Sequence, residues 1–381
     1  MPMSQQRKRR LALPLAVILA ILCRPRTGSA QAWNWSTEQI DLEGYSTSLI
    51  VDTQGNLHLS YYATNDGELR YGFRSAANSR WFKMAVDHSL GFMVTAITLD
   101  SHQNPHICYT PQVTKYAAWD GHKWHTQEVD PGIGRVAFFC SIQITPDGKP
   151  EIAWYLESGT FLRYAVLQDG VWLAMSVEGG GGRMPGKWNS MVLDANGNPH
   201  IAYTWFPTGK LNYSFFDGQT WNIATLDSPT DTAGGERGMG VSMVLDPDGN
   251  PIIAYYDEQS LKLARNIQGK WKSEVIEQLP PFGQNYSWKS FRSKLLFDSK
   301  GNLHVGFESL RGLEHAWWDG KQWNKQLILG VHGLAFLESS MAIDASDNLY
   351  IVYRDPQDKT LELAIGRPAA EPMISSTGAA N

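Results

Sequence analysis

Short apolar strands alternate with tight polar turns along the whole chain after residue 32. The pattern is clearest at 190–221, where an apolar strand ends at Asp194, a Gly-Asn turn follows, and a second strand ends at Tyr203. Strands rich in β-branched and aromatic residues, separated by Gly, Asn and Asp, are typical of β-hairpins. The pattern therefore predicts an all-β chain of antiparallel strands.

This unit repeats seven times. The Asn of the turn, or its equivalent, falls at Asn56, Asn104, Lys149, Asn198, Asn250, Asn302 and Asn348. Intervals of 48, 45, 49, 52, 52 and 46 residues, with four short strands in each, are typical of β-propeller blades. The sequence predicts a seven-bladed β-propeller with four antiparallel strands per blade, a to d, of which strand a is the innermost.

The seventh repeat lacks its fourth strand. It has strands at 340–344, 349–353 and 361–365 and then continues without a Trp-containing turn, whereas the segment 35–41 matches 124–130 in spacing and character. We therefore predict that the N-terminal strand closes the last blade, which would remove an exposed sheet edge. The propeller is predicted at 33–366, with 33–41 as its closing strand, and a disordered tail at 367–381.

The N-terminus resembles a secretory signal peptide. Arg7, Lys8, Arg9 and Arg10 precede an apolar stretch of thirteen residues at 11–23, and the small residues Ala30 and Ala32 suit signal-peptidase cleavage after Ala32. Residues 1–32 are therefore predicted to be a signal peptide, and the protein to be secreted or periplasmic. An uncleaved anchor remains the alternative, because Arg24 and Arg26 are unusual behind such a stretch.

Composition excludes some partners. The net charge of −5 is mild, and no basic block occurs outside the first ten residues, so we expect no nucleic-acid binding. Cysteines in metal-ligand spacing are lacking, so we expect no metal and no cofactor. Thirteen apolar residues are too few to span a bilayer, so we expect no membrane span after cleavage. We also expect a monomer. Cys108 and Cys140 form either a disulfide or two buried free thiols, and we favour free thiols because other repeats carry small residues there.

Two residue types recur once per blade and are therefore predicted to be structural. His58, His106, His200 and His304 share one position on strand b, and Trp81, Trp124, Trp172, Trp221, Trp271 and Trp323 share the start of strand d. Residues that repeat with the blades are expected between packed sheets, not in a ligand site.

The b–c loops and the d–a linkers carry the irregular sequence, and they share one face of the disc, which we call the linker face. Function is expected there, at the mouth of the central channel. The guanidinium group of arginine binds carboxylates and sulfates, and aromatic rings can stack on sugars. Arginines together with aromatic residues on this face would therefore suit an acidic glycan. The candidate ligand-binding residues are Arg135, Arg183, Trp188, Arg237, Tyr286, Trp288 and Arg292. The alternative is that the arginines are solvated loop residues and that the aromatic residues cover the ends of blades.

Carboxylates on the same face are candidates for acid–base chemistry, which glycosidases carry out with two carboxyl groups. They are Glu157, Asp257, Glu258, Glu308, Glu338 and Asp355. Glu338 and Arg292 lie next to innermost strands, so we predict both at the channel mouth. Glu338 and His332 are the candidate catalytic residues, with solvated side chains as the alternative.

The blade pattern resembles a known class of propeller. Residues 194–203 read Asp-x-x-Gly-Asn-x-His-Ile-x-Tyr, and Asp-Gly-x-x-Trp turns occur at 217–221 and 319–323. On these motifs, residues 33–366 resemble bacterial secreted propellers of the BNR-repeat and sialidase-like type, although the sialidase box has one residue more between Asp and Gly. The resemblance implies the fold and no single activity, because such blades occur in lectins, lyases, hydrolases and other binding proteins.

Three hypotheses follow. The first is an exported binding protein that recognises a glycan or protein ligand on the linker face. The second is a polysaccharide lyase or glycoside hydrolase that acts on an acidic glycan at the channel mouth. The third is a structural scaffold in a larger envelope assembly.

Overall fold

The structure, a computed structural model, describes residues 33–88, 94–131, 137–180, 184–206, 209–227, 240–257, 260–279, 291–330 and 337–369. The described residues form 28 β-strands and no helix, arranged as seven four-stranded antiparallel sheets. Each sheet is one blade, with its strands in the order a, b, c, d from the channel outward. The predicted seven-bladed propeller is confirmed.

The strands are numbered along the chain from β1 (Trp33–Asp41). Blade 1 contains β2 (Tyr45–Val51), β3 (Leu57–Ala63), β4 (Glu68–Arg74) and β5 (Trp81–His88). Blade 2 contains β6 (Thr95–Leu99), β7 (Pro105–Tyr109), β8 (Lys115–Trp119) and β9 (Trp124–Glu128). Blade 3 contains β10 (Ala137–Ile144), β11 (Pro150–Leu156), β12 (Phe161–Gln168) and β13 (Val171–Gly179). Blade 4 contains β14 (Met184–Leu193), β15 (Pro199–Phe206), β16 (Lys210–Phe216) and β17 (Trp221–Asp227).

The remaining blades follow the same plan. Blade 5 contains β18 (Ser242–Leu245), β19 (Pro251–Tyr256), β20 (Ser260–Ile267) and β21 (Lys270–Gln278). Blade 6 contains β22 (Ser293–Phe297), β23 (Leu303–Ser309), β24 (Gly312–Trp318) and β25 (Trp323–Gly330). Blade 7 contains β26 (Ser340–Ile343), β27 (Leu349–Arg354) and β28 (Leu361–Pro368), and β1 is its fourth strand.

Blade 7 is closed by the N-terminal strand. Its sheet order is β1-β28-β27-β26, and β1 pairs antiparallel with β28 from Trp33 opposite Pro368 to Asp41 opposite Leu361. The predicted closure is confirmed. Strand β28 continues to Pro368, so the ladder extends two residues past the predicted domain end at 366.

The a–b turn explains the Asp-x-x-Gly-Asn repeat. In blade 4, Asp194 Oδ1 accepts hydrogen bonds from the backbone N–H groups of Asn196 and Asn198 at 2.8 Å, and Asn198 Nδ2 donates to Asp194 Oδ2 at 2.8 Å. Gly197 has φ +82°, which glycine adopts without strain. The carboxylate satisfies the backbone of the turn, so Asp, Gly and Asn recur for reasons of fold.

The repeated histidines have a structural role. The Nδ1 atoms of His58 and His200 are hydrogen-bonded to tyrosine hydroxyls of strand c at 2.7 and 2.5 Å. The Nε2 of His58 lies 3.3 Å from the turn carboxylate of Asp52. The repeated tryptophans pack between blades: Trp124, for example, meets the Tyr71 ring of the preceding blade edge-on at 5.3 Å. These contacts support the structural role that the sequence predicts for both sets.

A disulfide joins blades 2 and 3. Cys108 on β7 and Cys140 on β10 are both buried and bonded to each other, with their Cα atoms 6.3 Å apart. The preference for two free thiols is wrong. The equivalent positions in blades 1 and 2 are Ser60 and Thr95, whose hydroxyls lie 2.9 Å apart, so the same two positions also face each other across the interface of blades 1 and 2.

The innermost strands of neighbouring blades contact one another around the full circle and enclose the central channel. Each blade therefore packs against two others. The described residues include no helix long and apolar enough to cross a membrane.

Candidate functional site

Each innermost strand carries an equivalent residue near its linker-face end, six positions before the residue that opens the a–b turn. We call these seven residues the mouth ring: Ser46, Val94, Phe139, Trp188, Gly240, Arg292 and Glu338. The a–b turns are nearly alike in all blades, but the mouth-ring residue differs in every blade. Equivalent backbone positions therefore carry seven different side chains at this ring. Loops and strand ends of this kind usually carry function.

The mouth ring is strained. Five of its members have left-handed backbones, with φ +56° at Ser46, +54° at Phe139, +53° at Trp188, +66° at Gly240 and +49° at Glu338. Register shifts accompany three of them, in β2, β10 and β14. Bulky residues rarely adopt this conformation, and a bulge redirects a side chain out of the ladder. Strain of this kind is typical of positions that present a side chain for function.

The channel below the mouth ring holds a cavity of about 190 Å³. Residues of all seven innermost strands line it. Its described lining includes two cations, Arg292 and Lys294, and two amides, Asn189 and Gln143, but no Asp or Glu. The hydroxyl groups come from Thr47, Ser48, Thr95, Ser141, Ser190, Ser242, Ser293, Ser339 and Ser340. The wall is thus polar, rich in hydrogen-bond donors and positively charged.

A second ring lies four positions before each turn residue, and we call it the serine belt. Its members are Ser48, Ala96, Ser141, Ser190, Ser242, Lys294 and Ser340. Four of these serine hydroxyls each accept a hydrogen bond from a backbone N–H of the next innermost strand, at 2.9 to 3.2 Å. The belt therefore ties neighbouring blades together, and its serines are structural.

Arg292 and Glu338 meet at the mouth. Arg292 Nη2 lies 3.0 Å from Glu338 Oε2, and both side chains are largely buried. The same carboxylate oxygen accepts the Ser46 backbone N–H at 2.9 Å, and Arg292 Nη2 approaches Ser46 Oγ at 3.4 Å. The two residues that sequence analysis placed at the mouth therefore share one cluster, which also links blades 6, 7 and 1. Their roles in binding or catalysis stay predictions.

Glu308, at the end of β23, lies behind this ion pair. The residue is 1% exposed, and its Oε1 accepts hydrogen bonds from the Ser339 backbone N–H and hydroxyl at 2.8 Å. Its Oε2 is buried and has no hydrogen-bond partner among the described residues. Burial raises the pKa of Glu308 to about 7, against the opposing effects of Ser339 and Arg292. Glu308 is thus a buried acid that titrates near neutral pH.

Glu308→Gln is expected to flatten the fall in stability between pH 5 and 8. Because the pKa of Glu308 is higher in the folded state than its ordinary value of 4.5, the folded state binds the proton more tightly, and stability is lost as pH rises towards 7. One pH unit corresponds to about 1.4 kcal/mol, so the effect amounts to a few kcal/mol. Urea unfolding of parent and variant at pH 5 and 8 measures it.

Taking the difference between parent and variant removes the contributions of Glu151, whose pKa is also raised to about 7, and of the buried histidines, whose pKa values are lowered. Glu274→Gln, at an exposed carboxylate on β21, is the matched control and should leave the slope unchanged. An unchanged slope in Glu308→Gln would contradict the assignment.

Two further candidates among the described residues have other partners. Asp257 pairs with Lys262 at 2.6 Å and accepts hydrogen bonds from Ser260, and Asp355 accepts a backbone N–H within its own turn. Trp188 does line the channel, where its ring packs on Phe139 with centroids 4.3 Å apart. Arg135, Arg183, Arg237, Glu258, Tyr286, Trp288 and His332 lie outside the described residues.

Sequence analysis missed Lys294, the belt member that lines the cavity as a cation. An available signal was its position: five of the seven belt positions are serine, and Lys294 is the one charged residue among them. Among the described residues, no group of three or more His, Cys, Asp or Glu side chains could hold a metal ion.

Comparison with known proteins supports the propeller fold through similar solved structures. The sequence matches no protein-family profile and no curated protein. Among solved structures, the chain is similar to the BP39L lectin from Burkholderia pseudomallei, with a TM-score of 0.61 and 12% identity over 86% of this chain and 97% of the lectin. It is also similar to polysaccharide lyase Uly1, with a TM-score of 0.58 and 12% identity over 84% of this chain and 89% of the lyase.

A third similar structure is a PL25 ulvan lyase bound to -[GlcA(1-4)Rha3S]-, with a TM-score of 0.59 and 11% identity over 86% of this chain and 95% of that one. At these identities the similarity shows the fold alone. The chain is therefore a seven-bladed β-propeller whose structural neighbours include a lectin and polysaccharide lyases.

Proposed function

We propose that this protein is an exported propeller that binds a glycan on its linker face, with the channel mouth as the binding site. The cavity carries the proposal: about 190 Å³, lined by hydroxyls, amides and two cations, with no carboxylate in its described lining. Glycans offer hydroxyl groups to such a wall, and an acidic glycan also offers the negative charge that the cations attract. The structural similarity to a lectin supports a binding role.

The cavity is smaller than the roughly 300–1,000 Å³ of typical small-molecule sites, so it would hold one group of a ligand and not an oligosaccharide. The glycan would therefore lie across the linker face and place one group at the mouth. The half-buried Phe139 and Trp188 rings at the rim offer an apolar surface for a sugar face. Because the mouth-ring residues differ in every blade, we propose one central site instead of one site per blade.

A glycan array, run with the purified full chain, tests the proposal. Parent, Arg292→Gln and Arg265→Gln would be compared, where Arg265 is a matched arginine that pairs with Glu274 away from the mouth. We expect the parent and Arg265→Gln to bind the same glycans and Arg292→Gln to bind at least about tenfold more weakly, because losing a charge-assisted hydrogen bond costs about 1.5–3 kcal/mol. If no glycan binds the parent, the proposal fails and a protein ligand or a scaffold role becomes the better hypothesis.

A second candidate is a lyase or hydrolase acting on an acidic glycan at the same mouth. It is favoured by Glu308, a carboxyl group with a pKa of about 7 behind Arg292, and by the two neighbouring lyases. Binding is preferred, because the Glu308 carboxyl is buried and outside the described cavity lining, and Glu338 is held by Arg292 and Ser46. Turnover of a uronate-containing polymer that is lost in Glu308→Gln or Glu338→Gln would overturn the binding-only proposal.

Export remains part of the proposal. The Cys108–Cys140 disulfide supports it, because disulfides persist mainly in oxidising compartments. The BNR-repeat and sialidase-like resemblance is consistent with a secreted protein. N-terminal sequencing of the exported protein tests the predicted cleavage after Ala32, and an intact leader would favour the anchor.

A further inference from the structure

Lys294 occupies a place in the fold that otherwise favours serine. In the flanking blades, Ser242 Oγ accepts the Leu295 N–H at 2.9 Å and Ser340 Oγ accepts the Leu49 N–H at 2.9 Å. A protonated lysine has no lone pair to accept the equivalent bond from the next strand. Lysine at this position therefore cannot accept the inter-blade hydrogen bond that four of the belt serines accept.

The charge is also uncompensated. Among the described residues Lys294 forms no ion pair, and the other cation of the lining, Arg292, already pairs with Glu338. Water reaches the Lys294 side chain, yet the channel wall surrounds it, and this enclosure lowers the pKa of its ammonium group. A hydrated cation on a channel wall without a carboxylate in its described lining can take a small anion as its partner.

The neighbouring hydroxyls can complete an anion site. Ser242 and Ser340 each accept a backbone N–H, so each keeps its own O–H as a donor. They lie in the blades on either side of Lys294, and all three residues line the same cavity. One ammonium flanked by hydroxyl donors, with no carboxylate in the described lining, matches the requirements of a small oxyanion.

We propose that the channel binds one carboxylate or sulfate group, with Lys294 as its charged partner and the hydroxyls of Ser242 and Ser340 as donors. The anion is either free in solution or a substituent of an acidic glycan seated at the mouth. The glycan-borne form rests on the proposed function, whereas the anion site itself does not. The cavity size suits a single such group.

Thermal unfolding with added anions tests the site. The full chain, Lys294→Ser and Lys300→Ser would be titrated with sodium sulfate and sodium acetate against sodium chloride at matched ionic strength. Lys300 is an exposed lysine in the following a–b turn and is the matched control. We expect saturable stabilisation of the parent and of Lys300→Ser, following the binding relation for a ligand of the folded state, and an apparent Kd at least tenfold higher in Lys294→Ser.

Lys294→Ser has a second expected effect, which shows that the variant folds. Because it restores the belt serine and removes the enclosed charge, its unfolding midpoint in chloride should be higher than that of the parent. A saturable response that Lys294→Ser shares with the parent would overturn the proposal. So would a linear, non-saturating rise shared by all three proteins, since sulfate stabilises proteins generally by exclusion from their surfaces.

Glucuronate and a sulfated monosaccharide distinguish the two sources of the anion. Tighter binding of these sugars than of acetate and sulfate, lost in Lys294→Ser, would support a glycan substituent. Equal binding of the free anions would support an inorganic or small organic anion. If glycan binding depends on Arg292 but is unchanged in Lys294→Ser, the glycan-borne form is refuted while the proposed function stands, and the titration with sulfate and acetate decides on the free-anion site.

Discussion

Deleting residues 33–41 is expected to abolish cooperative folding of the whole propeller. Strand β1 pairs with β28 over its full length, and Trp33 and Ile40 are each 5% exposed. Without β1, β28 becomes an unpaired edge and the ring opens, so that blades that pack on two neighbours lose one of them. The stability of an ordinary domain is about 5–15 kcal/mol, and we expect the deletion to remove most of it.

The contacts of β1 extend beyond its own blade. The Gln326 side chain of blade 6 hydrogen-bonds the backbone N–H and C=O of Trp33 at 3.3 and 3.0 Å. Glu38 accepts hydrogen bonds from Arg74 Nε at 2.7 Å and Trp81 Nε1 at 3.0 Å in blade 1. The strand therefore joins blades 6, 7 and 1, and its loss is not confined to one edge.

Urea unfolding followed by circular dichroism and tryptophan fluorescence measures the effect. A synthetic peptide of residues 33–41, added to the deletion variant, should restore part of the cooperative transition, and a scrambled peptide is the control. A deletion variant with the midpoint and m-value of the parent would refute the role of β1 in closure.

The fold was predictable because its determinants are local and repeated. The Asp194 carboxylate holds its own turn, so the same residues must recur wherever a blade makes that turn. The segment 35–41, which resembles a fourth strand, could then be assigned to the one repeat that lacks a fourth strand. Pairing of Cys108 with Cys140 was harder, because it depends on which positions of different blades face each other. The Ser60–Thr95 contact shows that alignment between neighbouring repeats contains that information.

The site was predictable in part. Arg292 and Glu338 share a repeat position, and a position that repeats with the blades lies at one level of the channel, so their meeting followed from register. Lys294 lies two residues from Arg292, but the length and composition of the linkers do not distinguish it, whereas its departure from the belt serine does. The raised pKa of Glu308 depends on burial behind another blade, which a linear sequence does not display.

Arg292→Met is expected to destabilise the protein by about 3 kcal/mol at pH 8, the lower end of the range for breaking a buried ion pair. The substitution leaves the Glu338 carboxylate without its guanidinium partner, which lies 3.0 Å away in the parent. It also removes the positive charge that opposes the raised pKa of Glu308. The pKa of Glu308 should therefore rise further, and the loss of stability with rising pH should become steeper.

A double-mutant cycle separates the ion pair from the rest of the site. Glu338→Gln alone should cost less, because Arg292 still approaches Ser46 Oγ and still faces Glu308. The double variant Arg292→Met/Glu338→Gln should recover much of the loss of Arg292→Met, with a coupling energy of about 1–3 kcal/mol, as expected for residues in contact. Chemical unfolding at pH 5 and 8 measures all four proteins.

The cycle also decides what Arg292 does for a ligand. If the double variant regains stability but not glycan binding, the guanidinium contacts the ligand directly. If it regains both, Arg292 acts by holding the mouth together, and the binding site lies elsewhere on the linker face. Additive effects of the two substitutions on stability would contradict the ion pair itself, because residues that do not interact contribute independently.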